Sequence, residues 1–285
     1  MNNLKSINPQ LGYYLAGLIE GDGNIWTQKT VKSPKGRIHN PQITFSSSIN
    51  DLVLYEHIKG ILGTGGLFKE KSCNVYIYRI SDKDTLIKVI TLINGKFRTP
   101  KIVYLHRAID YINLVHNLDI KKLPLDNSHL RDNAWLAGIT DADGNFQISL
   151  NGTYGLNNSV SRGRVICSFS IVQRLIDKPT GLSCLPFMTK IADTFQCKIN
   201  YKRDNLITFV AGANSKHYLT KSYFDKYPLM TSKHLNYLCF LQGLSYLGKC
   251  LTDKEIIEIQ AIKNSMNNKR TYFNWDHLNN FYSEE

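Results

Sequence analysis

The sequence predicts an α+β fold of two pseudo-symmetric αββαββα repeats, and three observations predict it. A nine-residue run, Leu15-Ala16-Gly17-Leu18-Ile19-Glu20-Gly21-Asp22-Gly23, returns about 120 residues later as Leu136-Ala137-Gly138-Ile139-Thr140-Asp141-Ala142-Asp143-Gly144. After each copy the apolar residues pass through the same order of helical and alternating periods. Between the copies, residues 118–131 lose periodicity and carry Pro124. Self-similarity at so long a period means a duplicated domain. The expected division is a first repeat over 1–117, a linker over 118–131, and a second repeat with a tail helix over 132–285.

Residues 11–20 read as a helix. Tyr13, Tyr14, Leu15, Leu18 and Ile19 supply bulk, while Gly12, Ala16, Gly17 and Gly21 form a small-residue stripe. Such a stripe lets two helix backbones approach closely. Glycine inside a helix costs about 1 kcal/mol against alanine, so Gly17 and Gly138 imply a contact that offsets the cost. Gly12, Ala16 and Gly17, with Ala137 and Gly138, are read as the surface joining the halves. Gly23 suits the helix end. A strand over 24–30 would set Ile25 and Thr27 against Trp26, Gln28 and Thr30. After a turn at Ser33-Pro34-Lys35-Gly36, a strand over 37–47 would set Ile43 and Phe45 against Gln42, Thr44 and Ser46. A helix over 50–62, strands over 67–71 and 74–80, and helices over 83–94 and 101–117 complete the unit. The second unit runs as a helix over 132–142, strands over 145–151 and 164–172, a helix over 182–195, strands over 196–203 and 206–211, and helices over 215–225 and 233–247. The loop 152–163 is rich in Asn, Ser and Gly. A tail helix covers 253–266, and residues 267–285 are polar and aromatic with no assigned element.

The 285 residues carry a net charge of +12, divided as +8 for residues 1–125 and +4 for the remainder. The excess is spread rather than confined to a tail, which favours a polyanionic partner, nucleic acid above all. No apolar run reaches the roughly 18 residues of a membrane span, and residues 1–10 show neither a signal peptide nor an import sequence. The six cysteines form no C-x-x-C pair. They read as reduced core residues of a protein in a reducing compartment rather than zinc ligands. Abundant Asn, Ile, Lys and Tyr match AT-rich codons and point to an organellar genome.

Two helices packed through small residues bring their C-terminal ends together, and Asp22 and Asp143 sit at those ends. A carboxylate beside unpaired carbonyls and the negative end of the macrodipole is disfavoured unless a positive group offsets it. A hard divalent cation would. Mg²⁺ takes oxygen ligands and commonly uses one or two carboxylates together with substrate phosphate. Asp22 and Asp143, with the carbonyls of Gly21 and Ala142, make an oxygen-only set for water activation and leaving-group stabilisation at a phosphodiester. A single Asp-Gly reads as a turn former. Two copies in the same context read as a pair.

The two runs resemble the paired motif of the LAGLIDADG homing endonucleases in their single-chain, two-repeat form, and the similarity spans nearly the whole chain. The resemblance implies that the motif helices form the interface of a monomeric pseudo-dimer. It implies two antiparallel, saddle-shaped DNA-binding sheets lying in major grooves of double-stranded DNA. It also implies Mg²⁺-dependent double-strand cleavage across the minor groove, with two or three ions shared by the aspartates and short 3′ overhangs as product. Carried onto this chain, the catalytic acids are Asp22 and Asp143. Glu20 and Asp141, at the sixth motif position, are expected to be structural. The basic residue before the last helix of each repeat is Lys101 in the first and Lys233 in the second. The polar residue that organises water after the second strand is Gln173 in repeat two. Repeat one has Ser48-Ile49 instead, so the two strand cuts are expected to differ in rate.

Alternation from each aspartate assigns the DNA-reading faces. Trp26, Gln28, Thr30 and Lys32 point one way in repeat one, and Gln147, Ser149 and Asn151 do so in repeat two. Gln42, Thr44 and Ser46 continue the first face, Ser168 and Ser170 the second. Arg37, Arg79, Arg164, Lys198 and Lys202 are candidates for base or phosphate contact. The alternative function on this scaffold is an RNA-binding intron maturase, alone or in addition. The intact aspartates favour the nuclease, since RNA binding needs neither. The expected location is the mitochondrion, with synthesis inside the organelle.

Overall fold

The computed structural model describes residues 8–70, 74–151, 164–212 and 216–282. Helix α1 (Pro9–Gly21) begins where the Asn8 side chain accepts the Gln10 N–H at 2.9 Å, with Pro9 in the first turn, where no backbone donor is required. Residues 11–12 and 14–20 are all buried, as befits a helix that is apolar on every side. Strands β1 (Gly23–Trp26) and β2 (Gln42–Ser48), helix α2 (Leu52–Leu62), strands β3 (Gly66–Lys69) and β4 (Val75–Ile80), and helices α3 (Lys83–Ile93) and α4 (Ile102–His116) follow. The order then repeats: α5 (Trp135–Asp143), β5 (Gly144–Asn151), β6 (Arg164–Arg174), α6 (Leu185–Thr194), β7 (Ile199–Lys202), β8 (Leu206–Ala211), α7 (His217–Lys226) and α8 (Lys233–Leu244). Helix α9 (Asp253–Asn264) extends the second unit. The sheets are antiparallel, ordered β1-β2-β4-β3 and β5-β6-β8-β7. The two-repeat α+β fold read from the sequence is therefore the one observed.

The motif helices α1 and α5 meet backbone to backbone. A Cβ on Gly17 would lie 2.1 Å from the Trp135 carbonyl oxygen, and one on Gly138 would lie 2.0 Å from the Tyr14 carbonyl oxygen. No side chain fits at either place. Gly21 belongs to the same seam, since its Cβ would fall 2.1 Å from that of Ala142. Gly12 does not belong to it. Its missing Cβ would meet the Leu92 carbonyl oxygen at 2.5 Å, so it seats α1 on α3 of its own repeat. The stripe of small residues thus serves two different neighbours, which spacing alone cannot separate.

The first hairpin is shorter than alternation suggests. β1 ends at Trp26 and β2 begins at Gln42, so Thr30, Lys32 and Arg37 lie outside the sheet, beside a Ser33–Gly36 turn. Beyond Trp26 the backbone carbonyls find other donors. The Gln28 amide donates to the Thr30 carbonyl at 2.7 Å, and the Tyr111 hydroxyl of α4 donates to the Val31 carbonyl at 3.2 Å. The loop 152–163 lies outside the described residues. Between α4 and α5, Asp126 pairs with the buried Arg98 and its N–H donates to the Phe97 carbonyl.

The tail carries unexpected structure. After α9 the chain makes short 3₁₀ turns at Asn267–Lys269 and Asp276–Asn280, and it buries Phe281 and Tyr282. Phe281 packs edge-on against Tyr14 and His57, both in the first repeat. Aromatic area from the C-terminus therefore closes over the first motif helix. Cys167, Cys184 and Cys239 are buried free thiols, as a core reading requires, whereas Cys197 is half-buried and Cys250 exposed, outside the core; Cys73 lies outside the described residues.

Candidate active site and nucleic-acid face

The close seam places the C-terminal ends of α1 and α5 side by side, and with them Asp22 and Asp143. Desolvation holds the Asp22 carboxyl above the usual carboxylate range. Lys233 and Lys101 pull it down, and Asp51 pushes it up. Asp143 is likewise raised, first by desolvation and then by the charge of Asp22, against Lys233 and a Gln173 hydrogen bond that lower it. The two acids are thus electrostatic neighbours, and the charge of Asp22 disfavours that of Asp143. A cation between them would relieve that repulsion.

Two lysines supply positive charge. The Lys101 ammonium donates to the carbonyls of Ile19 (3.2 Å), Gly21 (2.7 Å) and Gly23 (2.9 Å). Lys233 donates to the carbonyls of Thr140 (3.2 Å) and Ala142. Each lysine caps the carbonyl-rich end of the motif helix in its own repeat. Burial lowers both lysine pKa values, and the surrounding carboxylates raise them. The Gly21 and Ala142 carbonyls, expected to face a cation, are therefore already engaged by lysine, with one lone pair each to spare.

Glu20 and Asp141 explain why those lysines are where they are. Glu20 is buried and accepts the backbone N–H groups of Arg98 (2.9 Å) and Thr99 (2.6 Å), just ahead of Lys101. Across the seam it also accepts the Trp135 indole N–H at 2.5 Å. Asp141 repeats the arrangement with the N–H groups of Met230 (2.7 Å) and Thr231 (3.3 Å), just ahead of Lys233, and with the Tyr14 hydroxyl at 2.8 Å. Each acid thus ties the lysine-bearing segment of its own repeat to its own motif helix, and ties that helix to its partner. Desolvation pushes the Glu20 pKa up to about 7 against the donors that lower it, and the Asp141 pKa to about 6 for the same reasons. Glu20→Gln places an amide NH₂ against N–H donors. The expected loss is about 1–3 kcal/mol for the buried donor left unpaired, read as a lower melting temperature than wild type.

Gln173 reaches the site. Its amide donates to Asp143 Oδ2 at 2.6 Å. The strand register corrects its expected counterpart: β1 pairs Gly23 with Phe45 and β5 pairs Gly144 with Ile171, so Gln173 corresponds to Ser47 rather than Ser48-Ile49. Ser47 hydrogen-bonds the Ser48 carbonyl at 3.1 Å instead. The same register pairs Asp51 with Asp177, neither singled out from the sequence. Asp51 crosses the seam to accept the Ser232 N–H at 2.7 Å, next to Lys233. In the other half Pro100 stands where Ser232 does and has no N–H to offer. Nothing in the local sequence around Asp51 announces a contact 181 residues away.

The sheet faces divide as the alternation requires over most of their length. Trp26 pairs with Gln42, and Thr44 with Arg79, on the solvent side of the first sheet, which Ser46 also joins. There the Arg79 guanidinium lies 5.1 Å from the Phe68 ring centre. Gln147 pairs with Ser168, Asn151 with Arg164, and Ser170 with Asn145 on the matching face of the second, along with Ser149. Lys202 lies in β7, and Lys198 is exposed just before that strand. Gln28 is the exception. It is buried and spends its amide on its own loop, so it is not free to read a base.

A family model described as LAGLIDADG endonuclease matches residues 15–112 and 136–244, which is both repeats. The chain belongs to the LAGLIDADG endonuclease family. Members of this family are nucleases that typically use divalent metals. The intron-encoded DNA endonuclease aI3 of Saccharomyces cerevisiae is 31% identical in an alignment covering 99% of this chain and 75% of that protein. An uncharacterized cox1 intron-2 37.2 kDa protein of Schizosaccharomyces pombe is 30% identical, with 90% and 73% covered. Among solved structures, the I-LtrWI LAGLIDADG homing endonuclease bound to target DNA superposes with a TM-score of 0.70, covering 93% of this chain and 100% of that one at 18% identity. Among the described residues, no helix of this LAGLIDADG chain is long and apolar enough to cross a membrane.

Proposed function

We propose that the chain is a site-specific homing endonuclease that makes Mg²⁺-dependent double-strand breaks in a long asymmetric DNA target and leaves short 3′ overhangs. The observation that supports this best is the pairing of Asp22 and Asp143 at adjacent helix ends, flanked by Lys101 and Lys233. The donors there are carboxylates and carbonyls, which suit a hard cation. Among the described residues no three His, Cys, Asp or Glu side chains gather to form a closed metal site. Water and substrate phosphate would therefore complete the coordination of two or three ions held by Asp22 and Asp143, with the free lone pairs of Gly21 and Ala142. Bound there, the cation supplies an activated water and charge stabilisation at the leaving oxygen.

The chain's own groups do the rest. Lys101 and Lys233 bring positive charge to where the phosphate gains negative charge. Gln173 fixes one oxygen of Asp143 and leaves the other to face the cation. The polar sheet faces, with Arg79, Arg164, Lys198 and Lys202, lie against the grooves and phosphates. Thr30, Lys32 and Arg37, which stand outside the sheet, contact the backbone from the adjoining loop. Repeat one lacks a Gln173 equivalent, so the cuts are unequal. Gln173→Ala slows one strand about 10–100-fold more than the other, the cost of losing an outer partner of a metal ligand. Strand-resolved cleavage checks this, and equal slowing of both strands contradicts it.

Incubating the purified protein with Mg²⁺ and a randomised duplex library tests the proposal. Recovery of a defined cut site is the expected result. Absence of cutting together with tight intron-RNA binding would replace the nuclease by the maturase reading. The relative named for a cox1 intron, together with the AT-biased composition, supports a mitochondrial location.

A further inference from the structure

The end of α9 and the turn after it build a groove along β5, the edge strand of the second sheet. The groove holds about 380 Å³ and is rimmed by Asn145, Gln147, Lys263, Asn268 and Lys269. Asn145 and Gln147 are exposed residues of β5, on the face already assigned to DNA. Among the described residues no carboxylate lines the groove.

The turn that carries Asn268 and Lys269 is anchored. Met266 is buried beneath it. Asn236 on α8 exchanges two hydrogen bonds with Asn267, accepting its N–H at 3.0 Å and donating to its side chain at 3.2 Å. Asn267 sits in the left-handed region at φ 53°, a conformation Asn tolerates better than most residues. Its side-chain amide reaches the Phe146 carbonyl of β5 at 3.4 Å. Arg270 donates to Asn236 at 3.2 Å from the other side. These bonds fix the turn that carries Asn268 and Lys269 beside an exposed strand edge, next to Lys263 in the last turn of α9. Among the described residues the first repeat has no helix corresponding to α9, since α4 runs directly into the segment that leads to α5.

We propose that this groove seats the sugar–phosphate backbone of duplex DNA as it leaves the second sheet, with Lys263 and Lys269 each on one phosphate and Asn268 donating alongside. This rests on the nuclease reading and adds a binding segment that belongs to α9 and the turn after it.

Anisotropy with a labelled duplex of arbitrary sequence, titrated at several KCl concentrations, tests it, because non-specific binding is electrostatic and needs no knowledge of the target. The Lys263→Gln/Lys269→Gln protein is expected to bind with a salt slope shallower by about 1.8, two phosphates at about 0.9 each. Lys263→Arg/Lys269→Arg is expected to keep the wild-type slope. So is Lys221→Gln/Lys226→Gln, which removes the same charge from α7 behind the sheet. All these side chains are exposed, so melting temperatures stay at the wild-type value. A slope unchanged in the Lys263→Gln/Lys269→Gln protein, or lowered equally in the α7 variant, overturns the groove while leaving the nuclease reading intact. Failure of the wild-type protein to bind duplex DNA at low salt overturns both.

Discussion

Asp22→Asn and Asp143→Asn each abolish double-strand cleavage and leave DNA binding at the wild-type level. The expected loss is at least about 10³-fold, about 4 kcal/mol of barrier at about 1.4 kcal/mol per tenfold, because a cation held by two carboxylates does not survive neutralisation of one of them. The loss does not come from misfolding. Burial holds both carboxyl pKa values above the usual range, and the Asp22 charge raises Asp143 further, so removing either charge relieves an unfavourable charge in the folded protein. Each variant therefore melts at or above the wild-type temperature. Asn retains an oxygen to accept the Gln173 amide, so the local packing survives as well. Double-strand cleavage by either variant at the wild-type rate would remove Asp22 and Asp143 from the metal site.

Gly138→Val is the second large effect, and it acts on stability. The new Cβ would stand 2.0 Å from the Tyr14 carbonyl oxygen and 2.8 Å from the Leu18 nitrogen, both backbone atoms that cannot rotate away. The helices must separate. Overpacking of this kind costs about 1–3 kcal/mol. Separation also strains the bonds from Tyr14 to Asp141 and from Trp135 to Glu20, each costing about 1–3 kcal/mol if a buried partner is stranded. A total of at least about 3 kcal/mol corresponds to a melting temperature lower by roughly 6–12 °C for a domain of this size. Gly60→Ala is the internal control. Gly60 lies in α2 with open space around its Cβ position, so alanine there is expected to stabilise by up to about 1 kcal/mol. Equal melting temperatures for Gly138→Val and wild type would contradict the backbone-to-backbone seam.

Much of this fold is legible in the sequence because the code for it is local. Ile25, Ile43 and Phe45 alternate with polar residues, and Leu52, Tyr55, Ile58 and Leu62 recur at helical spacing, so periodicity alone places the elements. The duplicated motif supplies what periodicity lacks, since two Asp-Gly ends in one context imply that the ends meet. What stayed hidden depends on contacts between distant residues. Gly12 and Gly17 look alike in sequence, yet one faces Leu92 and the other Trp135. Gln28 continues an alternating pattern but turns inward to satisfy its own loop. Phe281 and Tyr282 have no periodic signal, because the surface they cover is Tyr14, at the other end of the chain. The acids Glu20 and Asp141 were separable from Asp22 and Asp143 only by resemblance. Their burial and backbone donors show the physical reason for the separation: they hold the lysine-bearing segments and face no solvent.

The most direct test of the central claim is metal dependence read strand by strand. Protein freed of divalent cations by EDTA is mixed with the duplex recovered from the randomised library, Mg²⁺ is restored in steps, and both strands are resolved on a denaturing gel. The paired-aspartate site predicts no cutting before Mg²⁺ is restored, and afterwards cuts on both strands offset to leave short 3′ overhangs. Cutting in EDTA, or cutting of one strand only at saturating Mg²⁺, would contradict it.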